Sequence, residues 1–121
     1  MRERHRLAGL SVPLPLLRVL YKFYNRQRRF DQAGEHAQRA LAEAARQASL
    51  PADYRAWTHA HLRDADPLIA SQALLAMKAL AFISLRGGEE TNAADYLASL
   101  RQLDPEDGSG ASVVQALAAA M

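Results

Sequence analysis

The sequence predicts a single all-α domain, an antiparallel stack of about six helices, and three observations lead there. Half of the 121 residues are apolar and 23% are charged, with Ala, Leu, Arg, Gln and Glu prominent and Val and Ile scarce; that is a helix-favouring composition. Proline, glycine and capping residues cut the chain into segments of helical length. No alternating run of β-branched residues lies between the cuts, so no sheet is expected. The length, 1–121, suits one domain around one core.

The elements follow in order. Residues 1–13 read as a flexible, basic N-terminus. From Leu14 to about Arg29, apolar residues recur at Leu17, Leu20, Tyr21 and Tyr24, one face of a helix. Asp31 is placed to cap a second helix reaching Ala48, with a small inner face of Ala33, Ala37, Ala40, Leu41 and Ala44. Ser49 and Pro51 mark a short third helix carrying Tyr54, Trp57, His61 and Leu62. Asp66-Pro67 starts a long fourth helix that runs to Leu85 and stops at Gly87-Gly88. A fifth begins near Thr91 with Ala93, Tyr96, Leu97 and Leu100, and ends at Asp104-Pro105. Asp107-Gly-Ser-Gly is a turn, and residues 109–121 supply an Ala-rich capping helix.

One spacing recurs. Leu14 to Gln47 is a stretch of 34 residues in which Leu17, Leu20, Tyr24, Phe30, Ala33, Ala37, Ala40 and Leu41 stand in an order that resembles a tetratricopeptide (TPR) repeat. Small residues at Ala33 and Ala40 let the second helix approach the first, while Tyr24 and Phe30 fill the angle between them. Tyr21, Arg28 and Ala45 stand where that family has two glycines and a proline. Leu74 to Asp107 matches again through Met77, Leu80, Ala81, Gly88, Ala93, Leu97, Leu100 and Leu103-Asp104-Pro105, with Ser84 and Glu90 departing. The stretch between, 48–73, reads as a degenerate repeat.

Among short TPR-like proteins, the chain most resembles the small cytosolic chaperones of bacterial type III secretion. Asp66-Pro67-Leu68, the long apolar helix, the glycine turn and Ala93-x-x-Tyr96-Leu97 carry the likeness. It implies a cytoplasmic binding protein that sequesters a polypeptide client on a concave surface. The same resemblance places the first helix of each repeat on that surface. The implied partner-binding residues are Arg18, Lys22, Asn25 and Arg26 in one repeat and Leu75, Lys78, Phe82, Leu85 and Arg86 in the next. Such a groove suits an amphipathic helix or extended segment with acidic and aliphatic residues. Some family members hold a client carboxylate where Arg18 and Lys22 lie; the asparagines of that clamp are unmatched, so no clamp is expected.

The formal net charge of +2 hides an asymmetry. Eight arginines and lysines in residues 1–30 oppose Glu3 alone, whereas from Glu89 onward six acids oppose Arg101 alone. That polarity fits a complementary partner or head-to-tail self-contact, so a homo- or hetero-oligomer is allowed. A scaffold subunit of a larger assembly would use the same surface. Basic segments with aromatics, such as Tyr24-Asn-Arg-Gln-Arg-Arg-Phe30, raise nucleic-acid binding as a rival; the acidic C-terminal third and the lack of a recognition-helix motif weigh against it.

Other classes find little support. Without cysteine there is no disulfide framework or thiolate metal site. The apolar stretch 68–85 carries Gln72 and Lys78 and reads as a buried central helix, not a membrane span. His59 and His61 project about 200° apart on a helix and cannot share an ion. No triad order, phosphate loop or carboxylate pair is legible, so no enzyme, metal or cofactor is expected.

Overall fold

A computed structural model describes residues 12–120, and these form α-helices with no strand among them. The expected basic leader lies outside the described residues up to position 11, as does Met121. In order come α1 (Leu14–Arg26), α2 (Phe30–Ala48), a 3₁₀ turn (Tyr54–Ala56), α3 (His59–Asp64), α4 (Pro67–Arg86), α5 (Glu90–Leu103) and α6 (Ala111–Ala120).

The long helices pack mainly against their neighbours, α1 on α2, α2 on α4 and α4 on α5, while α6 lies against α4 and α5. Alanines make this possible. Ala33, Ala37 and Ala44 are fully buried on α2, and their missing side-chain volume lets α1 and α4 approach from either side. Leu17 of α1, Met77 of α4 and Leu100 of α5 are the largest fully buried side chains. Each such burial contributes roughly 1.5–3 kcal/mol.

The two main hairpins, α1–α2 and α4–α5, share one backbone. At the first turn Gln27 N–H donates to Phe23 O and Arg29 N–H to Tyr24 O. At the second, Gly87 N–H donates to Ile83 O and Glu89 N–H to Ser84 O, the same pattern sixty positions on. Both turns close the preceding helix with carbonyls that would otherwise lack partners.

Three expectations need correction. α1 stops at Arg26 and not near Arg29, because Arg28 turns left-handed with φ 62°. Asp31 does not cap α2; Arg29 occupies the cap position and makes no side-chain bond. The third helix is split, since Trp57 and Thr58 are extended between the 3₁₀ turn and α3. Thr58 then starts α3 with a reciprocal cap: its Oγ1 accepts from His61 N–H at 3.2 Å, and His61 Nδ1 accepts from Thr58 N–H at 3.0 Å. α4 starts as expected, with Asp66 Oδ1 accepting from Leu68 N–H at 2.8 Å. By length and composition α4 could cross a membrane, and half of its most apolar window is buried inside the fold.

Candidate partner-binding cleft

α1, α4 and α6 enclose an open cleft of 340 Å³. From α1 come Arg18, Tyr21, Lys22 and Asn25; from α4 come Leu75, Lys78, Ala79 and Phe82. Six of the nine residues implied by the repeat register therefore line one surface. α6 adds Val113, Val114 and Leu117 as an apolar wall. Sequence reasoning assigned α6 only to closing the stack; the exposed pair Val113 and Leu117, 62% and 44% accessible, was the missed signal, since a helix that merely capped would turn polar residues outward.

The cleft lining carries three cations and no carboxylate. Arg18 lies near the Tyr21 hydroxyl, whose pKa burial pushes up and Arg18 partly pulls back, so the phenol that lines the cleft stays neutral. Lys78 reaches toward the α5–α6 turn. Its Nζ stands 3.2 Å from where a Cβ on Gly110 would sit, and its charge acts on Asp107. Lys78 is thus shared with Asp107, which lies outside the lining, whereas Arg18 and Lys22 face the cleft from α1 and would meet a ligand carboxylate there.

The remaining three implied residues lie elsewhere. Leu85 is 5% exposed and belongs to the core beneath a separate groove between α5 and α6. Arg26 is exposed but does not line the cleft. Arg86 is a strut: its Nη1 donates to Asn25 O at 3.0 Å and Asn25 Oδ1 at 2.9 Å, and its guanidinium lies over Phe30 and Phe82. That set ties the end of α1 to the end of α4 and orients Phe82 in the cleft wall.

Two histidines fill structural roles: His61 caps α3, and His36 is half-buried with its ring stacked on Tyr24 at 5.1 Å. No group of three or more His, Asp or Glu side chains converges in metal-binding geometry among the described residues. No family model matches this sequence, and neither curated proteins nor solved structures give a match.

Proposed function

We propose that this protein is a TPR-like chaperone or adaptor that holds a segment of another polypeptide in the α1–α4–α6 cleft. The observation that carries the reading is the cleft itself, with Arg18 and Lys22 on one wall and Leu75, Phe82, Val113 and Leu117 on the others. An amphipathic segment laid there buries aliphatic side chains against α4 and α6 and presents acidic residues to α1. The repeated hairpin backbone supports the TPR part of the reading, because each TPR unit is a helix-turn-helix of fixed turn geometry. The likeness to type III secretion chaperones supplies the role: sequestering a client so that its apolar face does not assemble prematurely in the cytoplasm.

Capture from the native host on the wild-type chain and on an Arg18→Glu/Lys22→Glu variant, each with and without nuclease, tests this. The reading expects one small protein, retained after nuclease and lost with the charge reversal. Equal recovery by both chains, or a partner that vanishes with nuclease, overturns it.

A further inference from the structure

We propose that copies of this chain associate head to tail, the outer face of α1 in one copy seating in the α5–α6 groove of the next. The proposal uses the outer face of α1 and the back of the molecule; of the residues it invokes only Lys22 also lines the partner-binding cleft, and the variants that test it leave Lys22 in place.

The front face is a helix-packing stripe that the described residues leave exposed. Leu16, Val19 and Phe23 are 47%, 61% and 48% exposed, and with half-buried Leu20 they fall at the three- and four-residue spacing by which one helix packs on another. Beside the stripe run Lys22 and Arg26, and α1 contains no acid. A two-fold pair through this face would set that basic flank against its own copy, where like charges repel. The complement must therefore be acidic.

The back of the molecule offers an acid at one end of a groove. Between α5 and α6 lies a second groove of 340 Å³, floored by Ala93, Ala94, Leu97 and Ala118, with Glu90 at the start of α5 and with Arg101 and Gln115 in its lining farther along. Small floor residues leave room for a protruding ridge. An antiparallel seat sets Arg26 against Glu90 and Val19 against Leu97, since both pairs are separated by seven positions along their helices. It also brings the negative end of α1 to the positive end of α5. Because front and back differ, each contact leaves one free face at either end, and association continues beyond two copies, into chains that stay open unless the rotation between copies closes them into a ring.

Sedimentation velocity of the full chain at low salt, over rising concentration, tests this. The mean mass should climb past that of two chains and fall when salt is added. Val19→Asp/Phe23→Asp should block the front and Ala94→Arg the back, each giving monomers with an unchanged circular-dichroism spectrum. Mixing the two should yield a 1:1 dimer that grows no further, because one good front meets one good back. Arg26→Glu and Glu90→Arg should each weaken assembly, and combining them in one chain should restore it. A single-chain mass at every concentration overturns the proposal. So does a dimer abolished by the front variant but untouched by Ala94→Arg, which would be a two-fold pair. None of Val19, Phe23 and Ala94 lines the cleft, so either result leaves the client-binding reading standing.

Discussion

Arg28 and Gly88 occupy the same place in the two hairpins and adopt the same left-handed backbone, with φ of 62° and 80°. An L-residue loses roughly 1–2 kcal/mol there, because its Cβ crowds the following carbonyl oxygen, whereas glycine does not. Arg28 recovers a little through its guanidinium, 5.8 Å from the Phe30 ring centroid. Arg28→Gly is expected to stabilise the fold by about 0.5–1 kcal/mol. Gly88→Ala should destabilise it by about 1 kcal/mol, with no steric part, since nothing lies within 4 Å of the added Cβ. Thermal melts of the two variants should shift in opposite directions; a shared direction would mean that the turns are not equivalent.

Much of this architecture was legible because its signals are local. The small inner face of α2, the Asp66-Pro67 start and the position of both hairpin turns depend on residues close in sequence. The split of the third helix was also locally encoded, but His61 stands where a capping box usually has Glu or Gln, so the Thr58–His61 cap went unread. The cleft was half legible. The TPR resemblance implied Arg18, Lys22, Leu75 and Phe82 as surface residues of two first helices, but such a register cannot say which faces a distant helix covers. That α6 folds back beside them, that Arg86 reaches Asn25, and that Leu85 is core are outcomes of tertiary packing.

The close approach of α1 and α4 to α2 makes the inner alanines intolerant of bulk. Ala33→Leu or Ala40→Leu should cost about 1–3 kcal/mol each, because these sites are 0% and 3% exposed. Ala42, exposed on the same helix, provides the control, and its replacement by Leu should move the melting temperature little. An unchanged melt for Ala33→Leu would show that α2 is not held between two helices.

The turn that aims α6 at the cleft should lose some stability in acid. Asp107 accepts from Ser112 Oγ at 2.6 Å and Ser112 N–H at 3.0 Å. The Ser112 hydroxyl bond chiefly, then its backbone bond and more weakly Lys78, hold the carboxyl below its ordinary value of 3.8. A carboxyl with a lowered folded pKa adds stability that is fully present above the unfolded value and is lost as pH falls through the folded one. Melts from pH 6 down to pH 3 should therefore decline less steeply for Asp107→Asn, which keeps the left-handed backbone accessible but has no charge to lose. Parallel pH profiles would remove Asp107 as the source.

Arg86 should behave as a fixed strut and not as a replaceable charge. Its Nη1 serves both the Asn25 carbonyl and the Asn25 side-chain oxygen, while the planar guanidinium lies 5.0 Å and 5.5 Å from the Phe30 and Phe82 ring centroids. Lysine can supply the charge but not the plane that lies over the two rings. Arg86→Lys is expected to destabilise the fold by about 1–3 kcal/mol. Asn25→Ala should lose less, because it leaves the backbone carbonyl in place for Arg86. The double variant should lose less than the sum of the two, since the side-chain bond can be removed only once. Strict additivity in chemical denaturation would mean that Arg86 and Asn25 do not act on each other.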